Sequence, residues 1–146
     1  MQQYQSEVVD WMRPVQSTVS SSDSLVVAYD MMQEEEVRRL PVVDIDDVVG
    51  IITLSDILRQ MPLVADDGDR ETRLMMNTKK VREVMTYDPV TIQSEDTIQD
   101  AAERMLEYQV SGLPVLDGGR LVGIITEKDI FRVVIEMLSA QLDQDN

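Results

Sequence analysis

Apolar residues recur along the chain first at helical spacing and then as short β-branched runs. Over residues 25–32 the spacing i, i+3, i+4, i+7 predicts one apolar face of a helix. Two β-branched runs, residues 41–44 and 48–53, flank an acidic turn and predict a hairpin. A short strand is predicted at Thr18-Val19 and a second helix from Ser55. The apolar positions assigned to the two helices are Leu25, Ala28, Tyr29 and Met32, then Ile57, Leu58 and Met61.

The second half of the chain shows the same pattern. A strand at Thr91-Ile92 precedes a helix, and a hairpin turns at Gly118-Gly119, which suits a tight primed turn. The segments Ser21-Ser22-Asp23 and Ser94-Glu95-Asp96 offer N-caps for the first helix of each half. The apolar faces of the two later helices are Ile98, Ala101, Ala102, Met105 and Leu106, then Ile130, Phe131, Val134, Ile135 and Leu138. The last stripe is too long for one small unit, so we expect it to cover the core, a partner subunit, or both.

The two patterns form an internal repeat. Residues 8–60 align with residues 81–133 without a gap, at an offset of 73, and 21 of 53 positions are identical. We therefore predict an α/β (α+β) fold of two β-α-β-β-α repeats, residues 8–61 and 81–138, in one compact module with a pseudo-two-fold axis. The connector, residues 62–80, predicts a loop over residues 65–71 and then a helical turn.

Composition narrows the classes of function. The chain has no Cys and no His, which excludes thiol nucleophiles, Cys/His zinc sites and histidine acid–base chemistry, so we expect neither an enzyme nor a metal site. A net charge of −15 repels nucleic acid and anionic membrane surfaces. The longest apolar runs are strand-length, and the N-terminus lacks the features of a signal peptide, so we expect a cytoplasmic protein.

One element, Gly-Ile-Ile-Thr-x-x-Asp, occurs in both repeats, at residues 50–56 and 123–129. Its structural interpretation is a capping box, in which the Asp side chain accepts from the backbone N–H of the Thr. Its functional interpretation uses the same geometry. A helix N-terminus and a Thr hydroxyl suit a phosphate, and an Asp one turn on can accept both hydroxyls of a ribose. The duplication after matching Leu-Pro-Val hairpins favours a site for a nucleoside phosphate.

These motifs resemble the cystathionine β-synthase (CBS) domain, present as a tandem pair, or Bateman module. The resemblance covers about residues 8–138, and both copies match without gaps. It implies two clefts between the repeats that bind adenosine-containing ligands: AMP, ADP or ATP, with S-adenosylmethionine or NAD as further options. It implies no catalytic cofactor.

The resemblance also distributes the site residues. One cleft would consist of Thr126, Asp129, Lys128, Met12, Ser17, Thr18, Val37, Arg38 and Arg39. The stretch Glu36–Leu40 resembles Glu-Val-His-Arg-Leu of the AMP-activated protein kinase γ subunit, with Arg in place of His. Because Arg38, Arg39, Lys128 and Arg132 are all candidates to lie near this cleft, we expect it to be the stronger site.

The second cleft would consist of Thr53, Asp56, Met85, Val90, Thr91, Val110, Ser111 and Gly112. It lacks the Arg pair and offers only Arg59 from its own helix. Met12 and Met85 occupy matching positions of the repeats, where packing and ligand contact both remain open.

Three classes of function compete. The resemblance favours an adenine-nucleotide sensor that acts as a homodimer and reports to an unidentified effector protein, without nucleic-acid or membrane binding. The second class is a ligand-free structural or protein-interaction module. An enzyme is the third, and no nucleophile–base pair or metal triad can be assembled from the sequence.

Overall fold

The computed structural model describes residues 6–61 and 68–144. In chain order the elements are α1 (Val8–Trp11), β1 (Arg13–Pro14), α2 (Leu25–Glu35), β2 (Arg39–Asp44), β3 (Asp47–Thr53), α3 (Leu54–Leu58), α4 (Gly68–Thr78), a 3₁₀ turn (Val81–Glu83), β4 (Thr86–Tyr87), β5 (Ile92–Gln93), α5 (Ile98–Tyr108), β6 (Gly112–Asp117), β7 (Arg120–Thr126) and α6 (Glu127–Gln144). Within these residues the strands form two sheets, and the predicted mixed α/β class is confirmed.

The chain folds into two compact units, and neither coincides with one of the predicted repeats. Unit 1 combines residues 6–15 with residues 90–144, and unit 2 lies within residues 16–89. The first residues of the first repeat, 8–15, therefore belong to the unit of the second repeat, and the first residues of the second repeat, 81–89, belong to the unit of the first. Each unit combines most of one repeat with the N-terminal segment of the other.

Unit 1 contains a four-stranded sheet in the order β1-β7-β6-β5. Strands β6 and β7 form the predicted hairpin, and β5 runs parallel to β6. Gly118 and Gly119 at its turn have φ of +57° and +85°, as a primed two-residue turn requires. The core of this unit contains Val8, Ile92, Ala101, Leu113, Val115, Ile125 and Val133.

Unit 2 contains a three-stranded sheet in the order β2-β3-β4. The second predicted hairpin is confirmed, because β2 ends at Asp44 and β3 begins at Asp47. Val19 forms a parallel bridge to Val42, in the place that β5 holds in unit 1. The core of this unit contains Leu25, Ala28, Met32, Leu40, Val42, Ile52, Ile57, Met76, Val81 and Met85.

The two 11-residue helices α2 and α5 begin just after the predicted cap segments. Their N-caps are Ser24 and Thr97. Asp23, one of the predicted caps, instead accepts the Ser20 N–H at 2.8 Å and closes the turn before α2. The capping chemistry was therefore predicted correctly, but its position was not.

Two predicted core positions are wrong because adjacent helical residues point about 100° apart. Leu106 follows the buried Met105 and is 81% exposed, and Leu58 follows the buried Ile57 and is half-exposed. The stripe on α6 divides in the same way. Ile130 packs against the core of unit 1, where the unpredicted Val133 is also buried, and the other four residues are exposed: Phe131, Val134, Ile135 and Leu138.

The connector is more helical than predicted. Helix α4 begins at Gly68, so residues 68–71 are helical where a loop was expected, and residues 65–67 lie outside the described residues. Met76 is buried in the core of unit 2, and Arg73 forms an ion pair with Asp30 of α2 at 3.2 Å. These contacts attach α4 to unit 2.

Residues 8–15 and residues 81–89, which we call the exchanged segments, each pack closely against the backbone of a glycine in the unit that they join. Strand β1 pairs with β7, and a Cβ built on Gly123 would lie 2.5 Å from the Met12 Sδ and 2.7 Å from the Arg13 carbonyl oxygen. In unit 2, Gly50 occupies the equivalent place, where a Cβ would lie 2.6 Å from the Met85 Sδ. Met12 and Met85 therefore have a packing role, and the glycine of the repeated motif has a steric reason.

The end of β2 is tied to the loop before α2 through Asp44. Its carboxylate accepts the Ser20 hydroxyl at 3.0 Å, the Ser21 N–H at 2.9 Å and the Ser21 hydroxyl. The Ser21 hydroxyl, the Ser21 N–H, the Ser20 hydroxyl and the charge of Arg82 lower the pKa of Asp44, against a smaller opposing effect of burial. Ionised Asp44 thus stabilises the folded unit.

Gly123→Ala is expected to lower the free energy of unfolding by about 1–3 kcal/mol, because the methyl group must displace Met12 or the Arg13 carbonyl. Thermal unfolding followed by circular dichroism would measure the loss. Hydrogen exchange should also accelerate at the Val15 amide, which donates to the Val122 carbonyl. Ser139→Ala, at an exposed position of α6, is the control. A Tm for Gly123→Ala equal to that of the wild type would contradict the close approach.

Asp44→Asn is expected to lower the Tm at neutral pH, and the difference from the wild type should narrow as the pH falls. The folded state holds the pKa of Asp44 below its unfolded value, so its stabilisation is present above about pH 4. It is lost as the pH drops through the lowered pKa. Thermal unfolding between pH 3 and pH 7 measures this. Asp117→Asn, the exposed equivalent in unit 1, should have little effect, and a pH-independent difference for Asp44→Asn would refute the linkage.

Candidate functional site

The repeated Thr-x-x-Asp element lies at the same place in both units, where the last hairpin strand becomes a helix. Thr126 is the last residue of β7 and Asp129 the third residue of α6. Thr53 ends β3, and Asp56 is the third residue of α3. At each point the Asp carboxylate accepts a hydrogen bond from the Thr backbone N–H three residues earlier.

In unit 1 the carboxylate of Asp129 is fully buried. Its Oδ2 accepts the Thr126 N–H at 2.8 Å and the Thr126 hydroxyl at 3.2 Å. Its Oδ1 accepts from the Arg132 guanidinium at 3.0 Å, and the Arg132 side chain is 51% exposed. A buried negative charge is thus balanced by one cation that reaches it from the solvent side.

Unit 2 repeats this arrangement with a difference in the Thr hydroxyl. The Asp56 Oδ2 accepts the Thr53 N–H at 3.0 Å, and the Thr53 hydroxyl accepts the Asp56 N–H at 3.1 Å. Arg59 lies 3.5 Å from the Asp56 Oδ1, and its side chain is 73% exposed. The capping box predicted from the sequence is therefore complete in unit 2. In unit 1 the Thr126 hydroxyl donates to the carboxylate instead.

Helix α5 provides an internal comparison. Its N-cap Thr97 and Asp100 form the same reciprocal pair, at 3.0 and 3.1 Å. Asp100 is half-buried, and the residue three positions later is Glu103 rather than Arg. The cap geometry alone therefore does not mark a site. Asp129 and Asp56 both have an arginine at i+3, and of the three aspartates Asp129 is the one that is fully buried.

The residues predicted for the first cleft are divided between the two units. Unit 1 holds Thr126, Lys128, Asp129 and Met12, and unit 2 holds Ser17, Thr18, Val37, Arg38 and Arg39. Within unit 2, the Ser17 hydroxyl donates to Glu35, and the Arg38 carbonyl accepts the Leu54 N–H at 2.7 Å. Arg39 pairs with Thr53 across the hairpin. The backbone of the Arg pair thus lies beside the Thr-x-x-Asp element of its own unit.

The residues predicted for the second cleft are divided in the same way. Unit 2 holds Thr53, Asp56 and Met85, and unit 1 holds Val90, Thr91, Val110, Ser111 and Gly112. The Thr91 carbonyl accepts from the Arg104 guanidinium at 2.6 Å. The Ser111 carbonyl accepts the Glu127 N–H at 3.0 Å. Which of these residues contact a ligand stays a prediction for both sets.

The sequence pattern did not lead us to predict the ion pairs of Arg132 and Arg59. We predicted these two residues only as cations near a ligand. The signal was available, because Asp and Arg are three residues apart in both repeats, and such residues are neighbours on a helix. Across the described parts of the chain, no cluster of three or more acidic side chains is suited to hold a metal ion. The same residues include no helix with the length and apolar character needed to cross a bilayer.

Comparison with known families agrees with this duplicated geometry. The sequence model of the CBS domain matches residues 7–63 and 81–136, and so covers both repeats. The chain belongs to the CBS domain family. It forms a tandem CBS pair, as the motifs predicted.

Relatives share the fold over almost the whole chain. A CBS domain-containing protein of Dictyostelium discoideum is 36% identical over 126 residues, which cover 83% of this chain and 86% of the relative. The crystal structure of CBSX2, a CBS-pair protein of Arabidopsis thaliana, in complex with AMP has 30% identity and a TM-score of 0.71 over 90% of this chain and 97% of that chain. The CBS pair of MJ0100, in complex with 5′-methylthioadenosine and S-adenosyl-L-methionine, has 28% identity and a TM-score of 0.71 over 91% and 98%.

Other relatives carry the CBS pair as part of a longer protein. This chain spans 21% to 46% of the length of seven further relatives, some of which are named as enzymes, including two inosine-5′-monophosphate dehydrogenases. The likeness in these cases concerns the CBS pair.

Proposed function

We propose that this chain is a regulatory module that binds an adenine nucleotide and signals through a change of conformation or oligomeric state. The observation that carries the proposal is the buried carboxylate of Asp129 at the start of α6, which has a partly exposed counterpart at Asp56. The named ligands of its structural relatives, AMP, S-adenosyl-L-methionine and 5′-methylthioadenosine, support it. All three share an adenosine with a free ribose diol and differ at the 5′ position.

The Asp129 carboxylate has the chemistry to accept that diol. Thr126 holds its Oδ2 through two donors and so orients the group, while Oδ1 accepts from the half-exposed Arg132 guanidinium. An acidic residue accepts ribose hydroxyls in the same manner in dinucleotide-binding folds. The first turn of the 18-residue helix α6 offers its positive dipole end to a phosphate.

A binding module of this kind needs no reaction. The site offers a hydroxyl, a carboxylate and cations, which are groups for recognition, and not a nucleophile paired with a base. A bound nucleotide would act by its different affinities for two states of the module or of its assembly. The output then passes to an effector protein.

We further propose that the residue set containing Asp129 binds more tightly than the set containing Asp56. The former includes Arg38, Arg39 and Lys128, and cations paired with phosphate form strong, charge-assisted hydrogen bonds. The argument is electrostatic. Against a net charge of −15, an anionic ligand needs positive charge placed close to it.

Addition of AMP, ADP or ATP is expected to raise the Tm, because a ligand at a hundred times its Kd stabilises the folded state by about 2.7 kcal/mol. For a chain of this size the rise is roughly 5 °C. Differential scanning fluorimetry with these nucleotides, S-adenosylmethionine, 5′-methylthioadenosine, NAD and 2′-deoxy-AMP would measure it. A weaker response to 2′-deoxy-AMP than to AMP is expected if the diol is read. No shift with any compound would contradict the proposal.

Asp129→Asn is expected to weaken AMP binding by about tenfold or more, since a charged acceptor of the ribose hydroxyls is lost. Isothermal titration calorimetry on the folded variant measures this. The loss should be greater than that of Asp56→Asn. Asp100→Asn is the matched control, because Asp100 also accepts the backbone N–H of a threonine three residues earlier at a helix start in the same unit. An equal loss of AMP affinity from Asp129→Asn and Asp100→Asn would mean that the loss comes from helix capping, and it would contradict a direct role of Asp129 in binding.

The second candidate, a ligand-free protein-interaction module, is favoured by the exposed apolar residues of α6. Phe131, Ile135, Leu138 and Leu142 recur at i, i+4, i+7 and i+11 and are all more than half exposed. This spacing suits a helix of a second copy, as in a homodimer. Light scattering of the wild type and of Ile135→Lys, with and without AMP, would distinguish the two candidates. If the extent of dimerisation is the same with and without AMP, and no compound raises the Tm, the results favour the interaction module.

A further inference from the structure

The two oxygens of the Asp129 carboxylate are bound by groups of different mobility. Oδ2 is held by the backbone and hydroxyl of Thr126, which are fixed at the end of β7. Oδ1 is held by Arg132, whose side chain is 51% exposed and reaches back across one helical turn. The Arg132 guanidinium is thus the more exposed of the two groups that bind this carboxylate.

An arginine follows the aspartate at i+3 in both Thr-x-x-Asp elements that join a hairpin strand to a helix, but not in the capping box of α5. Arg59 stands toward Asp56 as Arg132 stands toward Asp129, at 3.5 and 3.0 Å. The box at Thr97 and Asp100 has Glu103 at the same offset.

A buried carboxylate that loses its only cation is costly, whereas an exposed guanidinium that loses its partner is readily solvated. A neutral ligand can replace the hydrogen bond of Arg132 but not its charge. A ligand with a 5′ phosphate can keep the guanidinium nearby by giving it a new anionic partner, because arginine pairs with phosphate in a bidentate manner. Replacement of Arg132 by a ribose diol at the Asp129 carboxylate is therefore less costly when the ligand carries negative charge.

We propose that Arg132 is the specificity-determining residue of the Asp129 site. Its guanidinium leaves the Asp129 Oδ1 when the ribose diol arrives and pairs with the ligand's phosphate, so that the site selects adenosine 5′-phosphates over uncharged adenosine. The inference rests on the proposed function and deepens it. Arg59, farther from its aspartate and more exposed, gives the Asp56 site a weaker form of the same selection.

The test measures the ratio of affinities for AMP and adenosine by isothermal titration calorimetry. All proteins carry Asp56→Asn, which removes the carboxylate of the second proposed site and so weakens binding there. With Arg132→Gln, AMP affinity is expected to fall by about tenfold or more, while adenosine affinity stays the same or rises, because no ion pair has to be broken. Arg132→Lys, which keeps a charge but not the planar fork, should give an intermediate ratio. Arg73→Gln makes the same change in net charge at the Asp30 ion pair and should leave the ratio unaltered.

The alternatives give different results. If Arg132 only holds Asp129 in position, Arg132→Gln weakens AMP and adenosine by the same factor, and the inference is wrong. The inference is also wrong if neither affinity changes. If neither AMP nor adenosine binds to the protein with Arg132 intact, and the wild type also fails to bind them, the proposed function itself fails.

Discussion

The carbonyl oxygen of Arg13 occupies the space in which a side chain at position 123 would begin. This steric constraint supports the rest of unit 1. Because Gly123 has no Cβ, β1 can lie against β7, and Met12 and Val8 can complete a core whose other members come from the second repeat. The strand so covered ends three residues later at Thr126. Gly50 imposes the same condition in unit 2.

The strand-to-helix junction combines two demands on one carboxylate. As a cap, an Asp at the third helical position needs only to satisfy a backbone N–H, and Asp100 does so while half-buried. Asp129 satisfies the same N–H but lies out of contact with solvent, where its charge depends on Arg132. Burial makes the carboxylate a stronger hydrogen-bond acceptor, because the local dielectric is low. The burial that makes this carboxylate dependent on Arg132 is therefore also what strengthens it as an acceptor for the proposed ligand.

Local patterns in the sequence predicted local structure well. The hairpins, the Gly118-Gly119 turn and the buried faces of α2 and α5 followed from spacing and turn chemistry, and the Thr-x-x-Asp boxes lie where they were expected. The exchange of segments could not be found in this way. Residues 8–15 and 81–89 are too short to show a period, and their partners are distant in sequence.

The remaining errors have local causes. Leu106 continues the apolar spacing of α5 but points away from the core, since one residue of rotation separates it from Met105. The ion pair of Arg132 depends on a rotamer, which the i,i+3 spacing permits but does not require. The predicted site residues are divided between the two units. Hydrophobic spacing and strand pairing predict contacts within one unit only, so they do not predict which of these residues contact a ligand.

The exchanged segments have a consequence for how such a fold is synthesised and how it arose. A chain that ended after its first repeat would lack the segment that carries Val81 and Met85, so its sheet would have an unpaired strand edge and its core an opening. Two such half-length chains could repair the defect by lending each other their N-terminal segments, as in domain swapping. Fusion of the two genes would then convert an intermolecular exchange into the intramolecular one seen here. It would also make the folding of either unit wait until the ribosome has released residues from both repeats.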